Sequence, residues 1–195
     1  DSPEISTQTK IRIKEYAKLK NYKPNVIGIN LKSMQQEKSK QTSPIDKKTA
    51  QLKLANFCAY QERSQQEVRE KLVKMGILSD DLEDIIAFLI SENFLNEERF
   101  AIAFAGGKFR IKHWGKLKIK NALRLKGTSE PCIRKALKLI DHETYTQVLK
   151  IEIKRKAKEI PESNVIKKTN KLAAYLIGKG FESDLVWVLI YIKSF

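Results

Sequence analysis

From Ala50 onward, apolar residues recur at spacings of three and four, the period of an α-helix with one buried face. Val68, Leu72 and Met75 share a face of one helix, and Leu82, Ile85, Ile86, Leu89 and Ile90 form a denser stripe on the next. Phe100 and Phe104 lie one turn apart on a third. Ile119, Ala122 and Leu123 mark a fourth helix, Ile133, Ala136, Leu137 and Ile140 a fifth, and Tyr145, Val148 and Leu149 a sixth. Leu172, Ala173 and Leu176 mark a seventh, and Leu185, Val188, Leu189 and Ile192 the last. Residues 51–61 supply one more helix ahead of these. Ser64-Gln65-Gln66-Glu67 reads as a capping box, in which the serine oxygen accepts from the Glu67 amide and the glutamate reaches back.

The stops carry more information than the stripes. Gly76, Gly127 and Gly180 are 51 and 53 residues apart. Four residues before each stands Leu72, Leu123 or Leu176, and eight before stands Val68, Ile119 or Leu172. Six after stands Leu82, Ile133 or Val186. A short helix, a glycine turn and an apolar helix therefore occur three times, with room for one further helix between copies, at about 96–111 and 141–157. The expected fold is all-α: tandem three-helix repeats, three copies, forming an elongated, curved array behind a basic N-terminal arm. The expected segments are 1–48 for a flexible arm, 49–95 for the first repeat, 96–140 for the second and 141–195 for the third. Within the arm, 11–19 suits a short helix or strand, 26–31 alternates as a strand does, and 35–43 is polar.

Charge sharpens this picture. The 195 residues carry a net +15, unevenly spread: +6 over 1–48, −3 over 49–95, +7 over 96–127 and +5 over 128–195. Such a balance points to a polyanion or an acidic protein surface as partner, against the plainer alternative of a solubilising lysine excess. Cys58 and Cys132 sit in apolar helical patterns without metal-ligand spacing and read as small buried hydrophobes of a reducing, cytoplasmic protein. The longest apolar run, 185–192, is far too short to span a bilayer.

Two stretches resemble a known family. Glu62-Arg63-Ser64-Gln65-Gln66-Glu67-Val68-Arg69-Glu70-Lys71-Leu72 resembles the opening motif of the RecX family of recombination regulators. Glu92-Asn93-Phe94-Leu95-Asn96-Glu97-Glu98-Arg99-Phe100-Ala101 is similar to its most specific motif, and Lys108-Phe109-Arg110, Gly115-Lys116 and the Leu123 to Gly127 turn continue the match. The resemblance covers about 51–192 and is loosest in the third repeat. Residues 1–48 have no counterpart, Thr128 stands where an apolar residue often follows the turn glycine, and Pro131 comes early in its helix, where proline is tolerated. The resemblance implies three-helix tandem repeats and a monomeric, non-enzymatic regulator of DNA repair and recombination. Such a regulator binds the RecA recombinase, chiefly its filament on DNA, and curbs its ATPase and strand exchange; some members also bind DNA directly.

The residues themselves nominate a surface. Lys116, Lys120 and Arg124 fall at i, i+4 and i+8 along one side of a helix, and Lys108, Arg110, Lys112, Lys118 and Lys126 extend the positive field. No acidic residue occurs from Phe100 to Ser129, so self-repulsion along this stretch is unrelieved locally. A row of this kind pairs with phosphates or with acidic groups lining a protein groove. Trp114 inside it is suited to stacking on a base, to anchoring a partner or to closing the core at a turn. Arg99 reads as structural or as a partner contact, while Lys154 and Arg155 belong to a second basic patch with Lys150, Lys156 and Lys158. Lys167, Lys168 and Lys171 form a third. His113 and His142 stand alone. Gly106-Gly107 late in a helix suggests a close approach or a kink. On the last helix, Trp187, Tyr191 and Phe195 lie opposite the Leu185 row, suited to docking a partner or to covering the neighbouring repeat. Neither a catalytic arrangement nor a metal cluster nor a nucleotide loop is present, so no cofactor is expected. Competing readings are a DNA-binding regulator with a helix-turn-helix-like trio and a helical-repeat scaffold.

Overall fold

The computed structural model describes residues 45–193. The readings made for 1–44, and the placing of Phe195, lie outside the described residues. Those residues are helical throughout, without a strand: α1 (Lys47–Tyr60), α2 (Gln65–Lys74), α3 (Asp80–Ser91), α4 (Glu97–Lys112), α5 (Lys116–Leu125), α6 (Glu130–Lys138), α7 (His142–Glu159), α8 (Val165–Gly178) and α9 (Ser183–Lys193). Every helix pair in extensive contact lies within a run of three: α1 to α3, α4 to α6, or α7 to α9. The chain divides into two compact units, one ending at Asn96 and the other beginning at Glu97. Tandem three-helix repeats are thus the architecture, with two trios sharing the second unit.

One turn, built three times, sets the repeat. The amides of Gly76, Gly127 and Gly180 donate to the carbonyls of Val73, Arg124 and Ile177 at 3.0, 2.9 and 2.8 Å. The following amides of Ile77, Thr128 and Phe181 donate to Leu72, Leu123 and Leu176 at 3.0, 3.1 and 3.2 Å. This is the Schellman pattern, and it requires a left-handed residue after the helix. The glycines supply it, at φ +80°, +73° and +90°. The flanking apolar positions obey the same register: Val68, Ile119 and Leu172, then Leu72, Leu123 and Leu176, then Leu82, Ile133 and Val186 are all buried. Thr128 occupies a buried place that Ile77 and Phe181 fill elsewhere, and its hydroxyl has no hydrogen-bond partner.

In the first unit, α1 starts at Lys47, earlier than the apolar pattern indicates. Asp46 caps it by accepting from the Thr49 amide at 3.0 Å, and Lys47 pairs with Asp81 and Asp84 of α3 at 2.8 and 2.5 Å. The capping box of α2 forms as expected, with Ser64 and Glu67 exchanging bonds of 3.0 and 3.1 Å. Arg69 holds α2 to α3 through a two-pronged pair with Glu83. Ile90 was expected in the buried stripe of α3 but is 46% exposed, because Leu82, Ile85, Ile86 and Leu89 already fill the inner arc.

The second unit has one continuous core that draws on both of its trios. Its last helix departs from expectation. Val186, Leu189 and Ile190 are buried, whereas Val188, Tyr191 and Ile192 are exposed. The buried face is centred on Val186, which keeps the register of Leu82 and Ile133. Cys58 is buried, but Cys132 is only half-buried, its thiol 3.7 Å from the Glu97 carboxylate. α4 runs unbroken through Gly106-Gly107: a Cβ on Gly107 would meet nothing within 4 Å, and the atoms nearest to one on Gly106 belong to the Arg110 side chain. Among the described residues, no helix is long and apolar enough to cross a membrane, and no group of His, Cys, Asp or Glu could hold a metal ion.

Candidate partner-binding surface

The sequence-nominated cations separate once folded. Lys108, near the end of α4, lies over two rings: its Nζ is 5.2 Å from the centre of Phe104 and 5.1 Å from that of Trp114. Lys118, in the first turn of α5, lies 4.9 Å from Trp114, and Lys126, at the end of α5, lies 5.8 Å from Phe104. These five side chains form a strip of alternating ammonium groups and aromatic faces. Each such contact contributes about 0.5–1 kcal/mol at an exposed site, which favours lysines lying over the rings. Arg110 and Lys112 extend the field at the exposed end of α4. Trp114 is half-buried and packs against the core of the second unit, so it is both lid and strip member.

The Lys116–Lys120–Arg124 row is more occupied than the local sequence suggests. Glu130, at the start of α6, takes Arg124 in a close ion pair and Lys120 at 3.9 Å. The arginine hydrogen bond holds the Glu130 carboxyl below its ordinary value. The charge of this row is therefore relieved by an acid six residues beyond its end. Lys116 lies 4.8 Å from the Tyr145 ring of α7. Arg99 is half-buried in the first turn of α4 and is not free.

Lys154 and Arg155 of α7 are not brought to the strip by any contact. Lys154 lines a cleft with Gln147, Lys150, Ile151, Leu189 and Ile192. Arg155 is committed to Glu152, Glu159 and the Tyr175 hydroxyl. Lys156 and Lys171 likewise pair with Glu159 and Glu162, at 3.0 and 2.9 Å.

Sequence reasoning passed over the acid that organises this region. Glu152 is 2% exposed, yet it is partnered on every side. Its carboxylate accepts from Lys179 Nζ at 2.7 Å and Arg155 at 2.9 Å, lies 2.8 Å from His113 Nδ1, and receives the Tyr175 hydroxyl at 3.3 Å. Burial pushes the carboxyl upward, but the bonds from Arg155, Lys179 and His113 outweigh it and bring it down to about 2. The signal was present in the pattern: Glu152 follows Tyr145 and Leu149 on the apolar face of α7. His113, read as an isolated polar residue, is the second trio's contribution to this cluster, held at a left-handed φ of +49°.

Tandem three-helix repeats, the second carrying a basic–aromatic strip, define an all-helical repeat protein. The family descriptions "RecX, first three-helix domain" and "RecX, second three-helix domain" match residues 52–89 and 96–137. The regulatory protein RecX of Clostridium perfringens (strain SM101 / Type A) is 35% identical over 124 residues, 63% of this chain and 58% of the relative. That of Prosthecochloris aestuarii is 26% identical over 144 residues, 74% of this chain and 93% of the relative. The crystal structure of RecX from Lactobacillus salivarius superposes with a TM-score of 0.67 at 24% identity, covering 74% of this chain and 94% of that one. A second, described as the crystal structure of regulatory protein RecX, gives 0.68 at 19% identity, covering 80% and 84%. Over these two matched segments the chain is similar to the RecX family, first and second three-helix domains in order. It spans 58% of the length of the Clostridium relative.

Proposed function

We propose that this protein regulates a RecA-type recombinase by binding its nucleoprotein filament and lowering its ATPase and strand-exchange activity, without being an enzyme or needing a cofactor. The observation that carries the reading is the strip Lys126–Phe104–Lys108–Trp114–Lys118, which lies within the stretch matched as the second three-helix domain. Ammonium groups held over aromatic faces suit a groove that offers both acidic side chains and phosphates. Lys108, Trp114 and Lys118 are the central contacts, with Arg110, Lys112 and Lys126 at the rim. Lys116, Lys120 and Arg124 contribute less, because Glu130 and Tyr145 already engage them.

The test adds the full chain, in rising amounts, to a RecA filament on single-stranded DNA while ATP hydrolysis is followed. Inhibition near stoichiometry, with co-sedimentation, is expected. A Lys108→Glu/Lys118→Glu variant should lose it, and a Lys120→Gln/Arg124→Gln variant should retain most of it. No effect and no co-sedimentation at stoichiometric protein would sink the reading. Binding to bare oligonucleotide alone, weakening steeply with salt, would favour direct DNA binding by the same strip.

A further inference from the structure

The basic helix α5 is not capped by its own residues. Its N-cap is Gly115, which has no side chain to offer. The amide of Gly115 donates to the Lys179 carbonyl at 2.9 Å, that of Lys116 to the Tyr145 hydroxyl at 2.9 Å, and that of Leu117 to the Gly180 carbonyl at 3.0 Å. Three consecutive amides at the start of α5 are thus satisfied by the third trio. The fit leaves no slack. A Cβ on Gly115 would lie 2.1 Å from the Gly180 carbonyl group, and one on Gly180 2.4 Å from the Lys118 amide nitrogen. Tyr145 is fixed in turn by donating to Glu182 at 2.6 Å and by ring contacts with Phe109 and Phe181. On the other side of Trp114, His113 is held by Glu152 at 2.8 Å.

We infer that the third repeat positions the binding strip of the second. Tyr145, Glu152 and the Lys179-Gly180 turn fix the 113–118 segment, and so fix where Trp114 and Lys118 present themselves, without being part of the strip. They are positioning residues, and the affinity of the strip is set from behind it. The effect on binding rests on the proposed function; the positioning itself does not.

The experiment uses the full chain carrying Trp187→Phe, so that Trp114 is the one tryptophan, with Tyr145→Phe or Glu152→Gln added. Tyr145→Phe leaves the Lys116 amide without its acceptor, and its hydrogen exchange should quicken about tenfold or more, as loss of one such bond implies. Trp114 emission should shift to the red in both variants. Affinity for the recombinase filament should fall about threefold or more, while exchange in α1 to α3 and the helical circular dichroism match the parent. Unchanged Lys116 exchange and unchanged emission would overturn the inference, as would full affinity despite both changes. Uniformly faster exchange across α4 to α9 in the Tyr145→Phe variant would also overturn it, since Tyr145 would then be a general core residue. If Glu152→Gln fails to fold, Tyr145→Phe decides alone. A parent that does not bind the filament refutes the proposed function, while exchange and emission still decide positioning.

Discussion

At the residue scale, two buried polar groups behave in opposite ways because one is partnered and the other is not. Glu152 is surrounded by donors, and its carboxyl lies at about 2 rather than the ordinary 4.5. A lowered carboxylate adds stability that is present above the ordinary value and is lost as pH falls toward the folded one. The second unit should therefore lose about 3 kcal/mol between about pH 4.5 and pH 2 from this group. Acid titration followed by tryptophan fluorescence should show that loss, and Glu152→Gln should flatten it. Thr128 presents the reverse case, a residue 7% exposed whose buried hydroxyl has no partner. Thr128→Val keeps the shape and removes the unsatisfied group, so the unit should gain about 1 kcal/mol in urea titration. A loss would mean that the hydroxyl is bonded in solution.

At the element scale, α5 and α6 partly neutralise each other. Glu130 relieves Arg124 and Lys120, so the charge row read from one helix is weaker as a binding feature than its spacing suggests. Glu130→Gln frees both cations. Because exposed ion pairs contribute little to stability, folding should hardly change. Binding to single-stranded oligonucleotide should instead tighten about threefold and gain a steeper salt slope. Fluorescence anisotropy at two salt concentrations measures both, and an unchanged slope would show that these cations do not face the polyanion. The repeat turn was legible at this scale, since Gly76, Gly127 and Gly180 are needed for their left-handed φ wherever the neighbouring helices go. The cap of α5 was not legible, because its acceptors lie 29 to 64 residues away in sequence.

At the scale of the whole molecule, the chain forms two compact units, and the second and third trios share one of them. Trp114 and Trp187 both lie in the second. Urea unfolding should therefore give tryptophan fluorescence that follows one unit and far-ultraviolet dichroism that follows both, with midpoints that do not coincide. Superimposed curves would mean that the units unfold together. The three-fold count came from spacing along the chain. The joining of the second and third trios depends on Tyr145, Gly115, Gly180 and Glu152, which are ordinary helix and turn residues until packing brings them together.

Periodicity and turn chemistry are local, so the order of residues by itself determined the helices, their glycine stops, the three copies of one unit and the family motifs. Tertiary structure decided which cations remain available, because neutralisation depends on acids from other helices, Glu130 for Arg124 and Glu152 for Arg155 and Lys179. It likewise decided that α9 buries Val186 rather than Val188, and that α5 begins against the turn of the next repeat. The physical reason is the same in each case: a hydrogen bond, an ion pair or a buried face is completed by a partner whose distance along the chain says nothing about its distance in space.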